Sequence, residues 1–172
     1  MVKKYNLNHY NPEDLLQSGL DHLSSASILL NYSPFLFDSA GYLAHMALEL
    51  LLKSWLLHQN SEFKAIHPLP DLIKEIQKID TKFSLSQREQ QTLDYLSNFV
   101  ELRYPSKNNP IEIGSEDIDQ IYELADKIWQ HLPELLVQTY ENIPEGKKGN
   151  RVLMERPSNI SRNLELETGI KK

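Results

Sequence analysis

Apolar residues recur every three to four positions through most of the chain, the period that gathers them on one side of a helix. The first such run is announced by Asn11-Pro12-Glu13-Asp14: a capping asparagine, a proline at the first helical position, and acids near the positive end of the dipole. It continues with Leu15, Leu16, Leu20, Leu23, Ala26, Ile28 and Leu30 on one face and ends at Asn31-Tyr32-Ser33-Pro34. A second helix is predicted over 38–57, capped by Asp38 or Ser39. It is apolar or small nearly all round, except for a stripe of His45, Glu49 and Lys53 spaced four apart. A helix of that kind is the central one of its domain.

Residues 59–66 read as a connector, and His67-Pro68-Leu69-Pro70 leads into a short helix over 71–79. Ser84-Leu85-Ser86 opens another, which carries Leu93, Leu96, Phe99, Val100 and Leu102. It stops at Arg103-Tyr104-Pro105, because a proline disfavours helix at the residue before it. After a polar loop, Ser115-Glu116-Asp117 begins a last helix, with Ile118, Ile121, Tyr122, Ala125, Ile128, Trp129 and Leu132 on one face. It is kinked at Pro133 and reaches Tyr140. No run has the length and alternation of a strand, so the fold class is all-α.

Past Ile143 the periodicity vanishes. There, seven basic residues stand against four acidic ones, so this tail is positive by three within a chain whose net charge is −6. The expected organisation is a helical domain over 1–142 and a mobile basic tail over 143–172. At 172 residues the domain can bury a core without metals or crosslinks. The absence of cysteine excludes disulfides, a thiolate nucleophile and thiolate-held zinc, and fits a cytoplasmic protein. No secretory signal opens the sequence. The long apolar stretch near Ala40–Leu57 is broken by charged residues, which argues against a membrane span. Overall acidity argues against a duplex-DNA binder but leaves room for a small basic nucleotide site.

Candidate chemistry is sparse. There is no glycine-rich phosphate loop, no HExxH and no serine-hydrolase elbow. His45 and Glu49 have helical metal-ligand spacing but make at most half a site, so no metal, cofactor or catalytic residue is assigned. The stripe has two readings: a solvated helix edge with a Glu49–Lys53 pair, or residues lining a cleft or subunit contact, paired with each other or with Arg103. Arg103 is either a cation at a helix end or a guanidinium fork for phosphate. Tyr104 either stacks a base or is a buried tyrosine with a bonded hydroxyl, and His67 is either a turn histidine or part of the site.

Taken in order, these residues resemble a known family. The string from Tyr42 to Leu57 is similar to the A-x-x-A-x-E-x-x-x-K-x-x-L helix of HEPN domains, the higher-eukaryote and prokaryote nucleotide-binding domains. His67-Pro68-Leu69-Pro70-Asp71-Leu72 resembles the family's H-x-L-x-x-L, and Glu101-Leu102-Arg103-Tyr104-Pro105 its RYP helix end. The resemblance spans roughly Pro12 to Leu136. It implies an antiparallel four- to five-helix up-and-down bundle, commonly a homodimer, that handles nucleotides or RNA. It further implies a minimal nucleotidyltransferase as partner, in prokaryotic toxin–antitoxin or defence pairs. Homodimerisation also follows from helices too apolar for one small bundle to cover.

Many HEPN members are metal-independent ribonucleases that use an arginine followed four to six residues later by histidine. Here Arg103 is followed by Tyr104-Pro105-Ser106-Lys107-Asn108-Asn109-Pro110, with no histidine. The leading expectation is therefore a non-catalytic module. Glu49 and Lys53 would line its cleft, Arg103 would contact phosphate, and His67, Tyr104 and His45 would lie nearby. The alternatives are a ribonuclease that pairs Arg103 with a displaced histidine, His67 or His45, and a homodimeric protein-interaction module.

Overall fold

A computed structural model describes residues 3–32, 36–99, 113 and 117–143. Among these, six helices and one two-stranded sheet follow the order β1 (Lys4–Asn6), α1 (Pro12–Tyr32), α2 (Phe37–Asn60), β2 (Glu62–Lys64), α3 (Leu69–Ile79), α4 (Gln87–Ser97), α5 (Ile118–His131) and α6 (Glu134–Glu141). The architecture is a helical bundle in which α1 and α2 pack antiparallel along their lengths. Gly19 permits their close approach: a Cβ there would stand 3.1 Å from the Ala47 carbonyl oxygen and 3.2 Å from the Leu51 side chain. The face that α1 buries holds Leu15, Leu16, Leu20, Leu23, Ala26 and Leu30. Ile28, read into that face from its spacing, points outward.

Helix α2 is the central element. It touches α1, α3, α4, α5 and β2, and its residues from Leu51 to Leu57 are all buried. It begins at Phe37 with no side-chain cap, so neither Asp38 nor Ser39 caps it. Asp38 sits instead in the first turn, where its charge favours the positive helix end. Its other end closes at Ser61, whose φ of 59° lies in the left-handed region. A side chain is strained there and glycine is not, so Ser61→Gly is expected to raise the unfolding free energy by about 1 kcal/mol. A higher urea midpoint with an unchanged slope would register that gain.

The remaining helices close around α2. Helix α3 starts two residues before the position expected, because Pro70 is tolerated in a first turn, where its missing N–H would have had no partner. Helix α4 carries a full capping box between Ser86 and Glu89, as the serine-rich opening implied. Pro133 does not kink one helix but separates two: Leu132 is extended, as a residue before proline must be, and α5 stops at His131. The buried Tyr140 then donates a hydrogen bond to Gln17 Oε1 at 2.9 Å and ties α6 back to α1. No helix among the described residues is long and apolar enough to cross a membrane.

The expectation of no strands fails at one place. Residues 4–6 pair antiparallel with 62–64 in the register Lys4 to Lys64, Tyr5 to Phe63 and Asn6 to Glu62. Three residues a side are too few to leave a sequence pattern. The pairing rests on a cross-strand Tyr5–Phe63 contact and on the Ala65 amide, which donates to the Lys3 carbonyl at 2.7 Å.

Candidate functional site

The stripe on α2 is not a solvated edge. His45, Glu49 and Lys53 are 0 %, 3 % and 6 % exposed, held beneath the surface where α2 meets α3 and α4. Glu49 is the hub. One carboxylate oxygen, Oε1, accepts from Lys53 Nζ at 2.5 Å and from His67 Nδ1 at 3.0 Å. The other, Oε2, lies 3.2 Å from His45 Nε2. Burial alone would push the Glu49 carboxyl up. The hydrogen bonds from His45 and Lys53 and the charges of Lys53 and His67 outweigh it and hold the group at about 2.

His45 sits between two acceptors. Its Nε2 faces the Glu49 carboxylate, and its Nδ1 faces the Leu96 carbonyl in the last turn of α4 at 3.0 Å. Neither partner can donate, so both contacts are satisfied together only when each ring nitrogen carries a proton. Lys53 Nζ is also 5.4 Å from the centroid of the Phe63 ring, which supports the ammonium on its other side.

His67 is the only member open to solvent, with its side chain 47 % exposed. It lies in the turn that enters α3, and that turn is anchored to α4: the Leu69 amide donates to Ser97 Oγ at 3.2 Å. A carboxylate that accepts from Nδ1 fixes the ring's orientation and directs Nε2 away from the hub. The same two residues at the end of α4, Leu96 and Ser97, thus hold His45 on one side and the approach to His67 on the other.

Four residues singled out in the sequence, His45, Glu49, Lys53 and His67, therefore come together. Arg103 and Tyr104 lie outside the described residues, as do Ser106 and the whole stretch from 144 to 172. Sequence reasoning missed Phe63, a lone aromatic in a polar connector that proves to be buried, and the Leu96 carbonyl, which no side-chain pattern reveals. Among the described residues no group of three His, Asp or Glu could hold a metal ion, and the oxygens of Glu49 are already engaged. A hollow of about 310 Å³ adjoins Phe63 and Leu56 but is lined by Glu62 and Glu75. Glu62 is bound by Lys4, and Glu75 by Lys64 and Lys78, so that hollow offers no uncompensated positive charge to an anion.

The sequence profile of the HEPN domain matches residues 12–135, a span that contains the hub, the His67 turn and all but the last helix of the bundle. No curated protein and no solved structure matches the chain.

Proposed function

Because the chain belongs to the HEPN domain family, we propose that the cluster around Glu49 is a phosphate site for a nucleotide or for RNA, and that it binds without chemistry. The observation that carries this reading is the setting of His67: its Nδ1 is held by a buried carboxylate while about half of its side chain remains exposed. When both ring nitrogens carry protons, Nε2 donates to a phosphate oxygen, with the Lys53 ammonium held on the same carboxylate beneath it. Arg103, assigned from the RYP motif, adds a guanidinium fork to the same phosphate, and Tyr104 lies beside it. The absence of a histidine soon after Arg103 supports binding over cleavage. The same reading includes a cytoplasmic homodimer, supported by the exposed Ile28, Leu36 and Leu135, and a minimal nucleotidyltransferase partner in a prokaryotic toxin–antitoxin or defence pair, supported by family membership alone.

A second reading is favoured by the same contact. A histidine oriented by a buried carboxylate is also the arrangement of a general acid–base, and in its neutral form Nε2 would accept the 2′-hydroxyl proton of RNA. One gel separates the two: full-length protein titrated into labelled mixed-sequence single-stranded RNA in EDTA, alongside His67→Ala and Arg103→Ala. Retardation without cleavage is expected, weakened about tenfold by either substitution, since each removes a charge-assisted bond. Cleavage lost in His67→Ala would make the protein a metal-independent ribonuclease. RNA that runs free and intact would overturn both.

A further inference from the structure

Next to the hub lies a group of aromatic rings that the phosphate site does not use. Phe63 is buried and forms its floor, and Lys53 sits beneath that floor. Above it, Tyr5 lies 5.5 Å from Phe63, centroid to centroid. Tyr10 lies 5.4 Å from Tyr5 and 6.2 Å from Phe63. Tyr10 is 42 % exposed, yet it is not loosely held. Asn6 organises the turn that returns it to the rings. Its carbonyl accepts from the His9 and Tyr10 amides, and its side chain accepts from the Asn8 amide and contacts the His9 ring.

Packing the N-terminal strand onto the bundle accounts for Phe63 and the half-buried Tyr5. It does not account for a turn built to keep a large ring partly in water. A cation also borders the rings. Lys3 Nζ stands 4.8 Å from the centroid of Tyr5, and Lys4 and Lys64 flank the hairpin. The carboxylates beside them, Glu62 and Glu75, are each bound to a lysine. Phe63 is four residues from His67, a path of at most about 14 Å, and its ring lies 5.4 Å from the Lys53 ammonium of the hub. Tyr5 and Tyr10 both precede the segment matched by the family profile, and Phe63 lies within it.

We infer that Tyr10, backed by Tyr5 and Phe63, is a stacking platform for unpaired nucleobases, so that the ligand of the phosphate site is single-stranded RNA. The inference rests on the reading of that site given above. Stacking on tyrosine needs an exposed base face, which a duplex interior withholds and a single strand supplies, and Lys3 beside Tyr5 offers the backbone a cation.

The test is fluorescence anisotropy of the full chain with a short labelled single-stranded RNA of mixed sequence and with an abasic strand of the same length. Tyr10→Ala is expected to weaken binding to the RNA about tenfold and to leave the abasic strand unaffected, while Tyr10→Phe, which keeps the ring, binds both as wild type does. Equal affinity of Tyr10→Ala and wild type for the RNA would overturn the platform and leave the phosphate site standing. So would a loss shared by Tyr10→Phe, because the hydroxyl rather than the ring would then be the contact. Failure of the wild-type chain to bind either strand would overturn both.

Discussion

Glu49→Leu is expected to lower the unfolding free energy at neutral pH by about 3–5 kcal/mol, because it leaves Lys53 charged, buried and without its carboxylate. The loss is one of electrostatics rather than volume. Glu49→Leu combined with Lys53→Met should therefore recover at least half of it, since a pair of apolar residues strands no charge. His45 then keeps its contact to the Leu96 carbonyl. Acid gives an independent handle. The folded-state carboxyl of Glu49 is held at about 2, against 4.5 for an ordinary glutamate. The unfolded chain takes up the proton first, so the stabilisation is complete above 4.5 and is lost as the pH falls through about 2. That interval corresponds to about 3 kcal/mol. Urea unfolding measured down this range should show a loss of stability in wild type that is smaller by about this amount in Glu49→Leu. Equal losses would mean that the hub carboxylate is not held as its three contacts imply.

Gly41→Ala is expected to destabilise the protein by about 2 kcal/mol, although the same change in most helix interiors stabilises by about 1 kcal/mol. The sign reverses because a Cβ at Gly41 would fall 2.2 Å, 2.4 Å and 2.8 Å from three ring atoms of Phe99. That ring is fully buried and packs edge-on against Tyr95 at 5.5 Å, so it has no free volume to enter. Phe99 lies two residues beyond the end of α4, next to the Leu96 carbonyl and Ser97 that hold His45 and the α3 turn. Displacing it should loosen the phosphate site as well as the core. Thermal melts of Gly41→Ala and of Gly41→Ala with Phe99→Leu provide the check: the smaller side chain should restore most of the loss. A Gly41→Ala variant that melts at or above wild type would show that the ring moves at no cost.

Much of this was legible in the chain because it is local. The span of α1 could be read from Pro12 and the spacing of its leucines, and the Glu49–Lys53 contact from two residues four apart on a helix. The central place of α2 followed from its apolar circumference. What stayed hidden depends on chain segments that meet only in three dimensions. His67 reaches Glu49 across 18 residues, and His45 meets a carbonyl 51 residues away. Neither the stripe's burial nor its hub could be derived from spacing, since a polar stripe on an apolar helix reads equally as an edge or as an interior network. The β1–β2 pair was invisible because three-residue strands carry no period. The start of α2 was displaced because Leu36, at its N-cap, makes no capping bond.

That small hairpin also bears on how the chain assembles. Its first strand is Lys4–Asn6 and its second is Glu62–Lys64, so pairing them closes a loop containing all of α1 and α2. Only a few ladder bonds and ring contacts reward that closure, whereas α1 and α2, consecutive in the chain, gain extensive packing against each other. The helical pair should therefore form early and the strand dock last, on a surface already finished. In reverse, the strand is the segment that can leave while the bundle stays folded, taking Tyr5 and the Asn6 turn with it. Breathing at the N-terminus would then open and close the aromatic surface on a timescale of its own, decoupled from the buried hub beside it.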